Sequence, residues 1–165
     1  MATKTMVFEK DLANKKLNIE RSFDGSLEKV WKAWTDASIL DQWWAPKPYR
    51  AETKKMDFRV GGTWLYSMIG PEGDIHWSKE DYKEITPMKH IVGIDGFCDE
   101  NGNDNADFPK MYWDKKFSGN ENETTVKIVI SFDDEAALQK YLEMGFKEGF
   151  EAGLNNLDEV LEQQQ

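Results

Sequence analysis

In residues 16–23, Leu17 and Ile19 alternate with polar neighbours, the pattern of a strand with one buried face. Leu27, Val30, Trp31 and Trp34 then recur at helical spacing, which predicts a short amphipathic helix to about Thr35, with Asp24 or Ser26 as its N-cap. Asp36 or Ser38 opens a second short helix through Ile39, Leu40 and Trp43, and the prolines of Ala45-Pro46-Lys47-Pro48 end it. Six strand-like runs follow, at residues 49–59, 63–69, 74–85, 90–98, 110–117 and 123–132. Turn signals separate several of them: Gly61-Gly62, Gly70-Pro71-Glu72-Gly73, Thr86-Pro87 and Asn101-Gly102.

After Asp133 or Asp134, a continuous apolar stripe of Leu138, Leu142, Phe146, Phe150, Leu154, Leu157 and Leu161 predicts one unbroken C-terminal helix. Its length is about 28 residues, or roughly 40 Å, enough to cross the face of a sheet. The order strand, two short helices, six strands, long helix predicts an α+β fold with one seven-stranded antiparallel sheet covered by that helix. No internal repeat or linker divides the chain, so a single domain over residues 1–165 is expected, with its core at about 16–161.

Composition narrows the function. The 21 Lys and Arg against 31 Asp and Glu leave a formal charge of -10, which repels phosphate backbones and anionic headgroups, so nucleic acid is not an expected partner. No apolar run approaches the ~18 to 20 residues of a membrane span, and the opening MATKTMVFEKDLANKK lacks the apolar stretch of an export signal, so a cytoplasmic location is expected. Cys98 stands alone, which rules out an internal disulfide and fits a reducing compartment. Asn122-Glu123-Thr124 matches a glycosylation acceptor only by chance in such a setting.

Several segments carry a family resemblance. They are Ile19-Glu20-Arg21-Ser22-Phe23, Val30-Trp31-Lys32-Ala33-Trp34-Thr35-Asp36, Gln42-Trp43-Trp44-Ala45-Pro46 and Met56-Asp57-Phe58-Arg59-Val60-Gly61-Gly62-Thr63-Trp64, then Tyr82-Lys83-Glu84-Ile85-Thr86-Pro87 and Met144-Gly145-Phe146-Lys147-Glu148-Gly149-Phe150. From about residue 16 to residue 161 the sequence resembles bacterial single-domain homologues of the activator of heat-shock-protein-ninety ATPase, within the START-like (SRPBCC) superfamily. The resemblance implies a helix-grip fold, a seven-stranded curved sheet wrapped on a C-terminal helix. Superfamily relatives bind sterols, lipids, polyketides or plant hormones between sheet and helix, and the eukaryotic activator contacts a chaperone.

The candidate site follows from side chains that are missing as much as from those present. Gly145, Gly149 and Gly153 recur every four residues inside the expected helix, each costing about 1 kcal/mol relative to Ala, and their absent side chains would open space for a ligand. Trp64, Tyr66 and Met68 share one strand face; Ile91, Gly93, Asp95 and Phe97 share another; and Met111 and Trp113 add to the wall from a later strand. With Trp43, Phe146 and Phe150, these rings suit a flat apolar ligand, although an aromatic core that fills its own space has the same pattern. His76 is a candidate donor at the pocket mouth, or an exposed turn residue.

Catalytic signals are sparse. No nucleophile elbow, phosphate-cradling loop or dinucleotide fingerprint occurs, and His76 and His90 lack metal-site spacing, so no cofactor and no metal are expected. Asp95 is the one candidate general base. The acidic loop from Asp99 departs from a calcium loop at Asp104, where glycine is needed, and at Lys110, where glutamate is needed. From Asp133 onward, nine acids outnumber Lys140 and Lys147, while Lys47, Arg50, Lys54, Lys55 and Arg59 cluster elsewhere, a dipolar arrangement that would steer a protein partner. The leading expectation is non-catalytic binding of a small apolar, aromatic or lipid-like ligand by a monomer or weak homodimer. A module regulating a chaperone ATPase and a polyketide cyclase or hydrolase-like enzyme are the alternatives.

Overall fold

The structure, a computed structural model, describes residues 5–163; the remaining residues of the expected 1–165 domain lie outside the described residues. Ser26 and Asp36 supply the two helix caps. The Ser26 hydroxyl accepts the Lys29 N–H at the start of α1 (Leu27–Thr35), and the Asp36 carboxylate accepts the Ser38 and Ile39 N–H groups at the start of α2 (Ala37–Trp43). Both satisfy amides that the first helical turn leaves free.

The strands are β1 (Val7–Asp11), β2 (Lys16–Asp24), β3 (Arg50–Met56), β4 (Thr63–Ile69), β5 (Ile75–Thr86), β6 (His90–Phe97), β7 (Met111–Gly119) and β8 (Glu123–Ser131). They form one antiparallel sheet in the order β1-β2-β8-β7-β6-β5-β4-β3, so the fold is the helix-grip α+β arrangement with eight strands instead of seven. The additional strand is β1, an edge strand with mostly exposed side chains and therefore no alternating signal. Its marker is the turn that follows, where the Asp11 carboxylate accepts the backbone N–H and side-chain amide of Asn14.

The expected single C-terminal helix is two helices. The Asp134 carboxylate caps α3 (Glu135–Glu143), and α4 (Phe146–Gln163) begins after a break at Met144 and Gly145. Gly145 has φ +87°, a left-handed conformation that ends a helix and that residues with a Cβ rarely adopt. A stripe of three- and four-residue spacing passes through this break without a change in apolar pattern, so periodicity alone does not reveal it.

Leu154, Leu157 and Leu161 of α4 pack into the core against the inward residues of the sheet, including Leu17, Ile19, Ile128 and Ile130. Two polar contacts fix the helix in place. Arg21 of β2 donates to Asp158 and Asn155, and Asn156 donates its amide to the carbonyl of Ala45, just beyond α2.

Candidate functional site: a cavity between sheet and helix

Residues directly opposite one another on neighbouring strands share a face. Tyr66 lies opposite Ser78, and Ser78 opposite Phe97; Trp64 lies opposite Glu80, Glu80 opposite Asp95, and Asp95 opposite Met111. The strand face of Trp64, Tyr66 and Met68 and that of Gly93, Asp95 and Phe97 are thus one continuous concave face. The space between this face and the α3–α4 corner holds a cavity of about 250 Å³.

The sheet contributes Tyr66, Met68, Asp95, Phe97, Met111 and Trp113 to its wall, and the helical side contributes Gly145, Phe146, Gly149 and Phe150. The rings form a connected lining: Trp113 meets Phe150 edge-on at 5.5 Å, and Phe146 stacks on Phe150 at 5.5 Å between centroids.

Four expected site residues lie elsewhere. Trp43 is buried in the core, its indole donating to the Ala33 carbonyl at 2.9 Å. Trp64 is buried behind the wall, stacked on Tyr66 at 4.1 Å and bonded to the Thr53 hydroxyl. His76 is 54% exposed and pairs with Asp74 at 2.9 Å, outside the cavity. A Cβ on Gly153 would stand 3.2 Å and 3.3 Å from the carbonyl oxygens of Trp44 and Trp43, so this glycine admits close approach of backbone to helix and opens no volume for a ligand.

Trp44, Pro46, Ser78, Gly96, Tyr141 and Met144 line the cavity without having been singled out in the sequence. The signal for Trp44 was available. Consecutive residues on a helix point about 100° apart, so when Trp43 joins Ile39 and Leu40 in the core, Trp44 must face another way. It turns to the cavity, 6.1 Å from both Trp113 and Phe150.

One corner of the lining is polar. The Trp44 indole N–H donates to the Tyr66 hydroxyl at 3.0 Å, and Ser78 approaches the same hydroxyl. Asp95 lines the same cavity. Burial, and second the negative charge of Glu80, hold its carboxyl well above the usual carboxylate range, against the opposing pull of Lys115. Burial likewise pushes the Tyr66 hydroxyl upward, with Asp95 adding to the effect. The histidines do not enter this corner: His76 bonds to Asp74 and His90 to Asp114.

Among the described residues, no group of three or more His, Cys, Asp or Glu side chains is arranged to hold a metal ion. In the acidic loop the Asp99 carboxylate is already taken by the N–H groups of Asn101 and Asn103, and Asp104 is paired with Lys79 and Lys110. Cys98 is buried, and burial pushes its thiol up to about 11, so little reactive thiolate is present near neutral pH. No helix among the described residues is long and apolar enough to cross a membrane.

The family model for Activator of Hsp90 ATPase homolog 1-like protein matches residues 24–162. Protein Ms6760 from Mycobacterium smegmatis is 27% identical, with a TM-score of 0.87 over 95% of this chain and 97% of that one. A protein from Arthrobacter aurescens is 30% identical, with a TM-score of 0.89 over 95% and 91% of the two chains. A protein from Staphylococcus epidermidis is 26% identical, with a TM-score of 0.83 over 97% and 96%. No functionally curated protein matches the sequence.

Proposed function

We propose that the chain, which belongs to the family of Activator of Hsp90 ATPase homolog 1-like proteins, binds a small apolar or aromatic ligand between sheet and α4 without transforming it. The observation that carries this reading is the cavity of about 250 Å³, lined mostly by aromatic and methionine side chains. Its size approaches the lower end of small-molecule sites, about 300 to 1,000 Å³, and its few polar groups gather at one corner, as in sites that orient an apolar ligand. The non-catalytic part rests on Asp95, Tyr66 and Ser78 having no histidine beside them to activate a hydroxyl or relay a proton.

Thermal unfolding in the presence of fatty acids, sterols and planar aromatics tests the proposal. A ligand at a hundred times its Kd adds about 2.7 kcal/mol, which raises Tm by roughly 5 to 10 °C for a chain of this size. Gly149→Leu, which fills the cavity from α4, is expected to abolish that rise while the protein remains folded. The absence of any shift across all three classes, with no compound retained on purification, would overturn it.

Regulation of a chaperone ATPase is the second reading, supported by the family description and by the excess of acids along the last two helices. ATPase rates of the cell's own heat-shock chaperone, measured with and without this protein, decide it; unchanged rates and no complex in solution count against it.

A further inference from the structure

Within an otherwise apolar lining, Asp95 on β6, Tyr66 on β4 and Ser78 on β5 all face the cavity, and the Asp95 and Tyr66 groups are close enough to feel one another's charge. Building on the proposed ligand-binding role of the same cavity, we propose that this corner selects an uncharged aromatic ligand bearing a carbonyl oxygen. Asp95 and Tyr66 would donate the two hydrogen bonds to that oxygen.

The polar corner is equipped to give hydrogens. No side chain among the described residues hydrogen-bonds to the Asp95 carboxyl; only the Gly96 backbone approaches it. The Tyr66 oxygen already accepts from the Trp44 indole, so the Tyr66 hydrogen is free to go to Ser78 or to a ligand acceptor. Ser78, as both donor and acceptor, can support either group.

The surrounding charges favour the protonated acid. Glu80 and Asp81 of β5 raise the energy of a second negative charge, while Lys115 of β7, the single cation that offsets them, is itself paired with Glu80 at 2.9 Å. The other titratable groups that feel Asp95 are the hydroxyls of Tyr66, Tyr82 and Tyr141 and the thiol of Cys98, each of them neutral near pH 7 and each pushed further from ionisation by burial. A carboxyl that keeps its proton in an apolar wall is a donor, and a donor requires an acceptor. A carbonyl has two lone pairs and accepts from both groups at once. A pure hydrocarbon leaves both donors unpaired.

Fluorenone, fluorene and fluorenylamine share one flat framework and differ only in the group presented to this corner. Binding to the intact protein is measured by tryptophan fluorescence, with circular dichroism as the check on folding. Fluorenone is expected to bind about tenfold more tightly than fluorene, the worth of one well-formed hydrogen bond. Asp95→Leu is expected to shrink that preference to what the Tyr66 hydroxyl alone supplies, read as the ratio of the two affinities in the same variant. Asp95→Asn, whose amide also donates, keeps it. The preference weakens as pH rises and Asp95 loses its proton, and in Asp95→Asn it stays flat.

Equal affinity for fluorenone and fluorene, or a preference undiminished in Asp95→Leu, overturns the inference and leaves the cavity's binding role standing. Tighter binding of fluorenylamine than of fluorenone overturns it in favour of an ionised Asp95. If none of the three binds, this inference is overturned, and the binding role is decided separately by the thermal-unfolding screen of fatty acids, sterols and planar aromatics.

Discussion

The Lys115 ammonium lies 2.9 Å from Oε2 and 3.0 Å from Oε1 of Glu80, and both side chains are almost wholly enclosed by the sheet and α1. Oε1 accepts the hydrogen bond, while Oε2 is held by charge alone. The indole rings of Trp113 and Trp34 lie 5.4 Å and 5.8 Å from the ammonium and supply a second favourable environment for it. Gly93 completes the arrangement, because a side chain at that position would run into the Glu80 carboxylate.

Removing one partner of this pair is expected to cost far more than removing both. Lys115→Met strands a carboxylate away from water, a change worth about 3 to 5 kcal/mol, whereas Glu80→Leu combined with Lys115→Met is expected to be near neutral or stabilising. Urea unfolding of the two single variants and the double variant gives the answer. Additive losses would contradict it.

Asp95 makes stability depend on pH in a definite direction. Its folded carboxyl keeps a proton that the unfolded chain releases near pH ~3.9. The stability from that retained proton is complete below about pH 4 and is lost as pH rises toward the folded value. Asp95→Asn removes the titration. Its Tm is expected to match that of the wild type most closely near pH ~4 and to exceed it by a growing margin toward pH ~7. A difference that stays constant across this range would refute the assignment.

Three glycines that look alike in the sequence are expected to respond differently to Ala. At Gly149 the new Cβ finds Pro46 at an ordinary 3.7 Å, so the helix gains up to about 1 kcal/mol while the cavity narrows. At Gly153 it meets two backbone carbonyl oxygens at 3.2 and 3.3 Å, and α4 must move away from the end of α2. At Gly145 the φ of +87° makes any side chain strained, at about 1 to 2 kcal/mol. Thermal melts should therefore rank Gly149→Ala above the wild type, and the other two variants below it.

The same glycines mark how far the sequence can be read. Their spacing locates the helical side of the cavity, yet nothing in the sequence separates a helix break from a gap or from a close backbone approach, because each depends on what lies opposite. Strand positions were legible because alternation and turn residues are local signals, as at Leu17, Ile19 and Gly73. Edge strand β1 was not, since five residues with mostly exposed side chains and Phe8 alone packed on the core have no alternation to show. Trp43 and Trp64 illustrate a third limit. Residue type predicts that a large ring will be buried, but only register and helix rotation decide whether it fills the core or faces a cavity.

The Arg21–Asp158 contact between β2 and α4 is expected to be energetically lopsided. Arg21 is 2% exposed and its fork makes hydrogen bonds to both oxygens of Asp158, with further bonds to Asn155 and to the Ser22 carbonyl. Asp158 is 22% exposed and has water within reach. Arg21→Met therefore leaves a carboxylate that can be rehydrated, at a cost of about 1 to 2 kcal/mol. Asp158→Ala leaves a guanidinium enclosed with only neutral acceptors, at about 3 kcal/mol or more. Chemical denaturation of both variants checks the order. Because Asn155 and Asp158 lie on one turn of α4, hydrogen exchange in Asp158→Ala is expected to rise along the C-terminal part of that helix first. If Arg21→Met proves the more damaging of the two, the contact stabilises through the packing of the arginine stem and not through its charge.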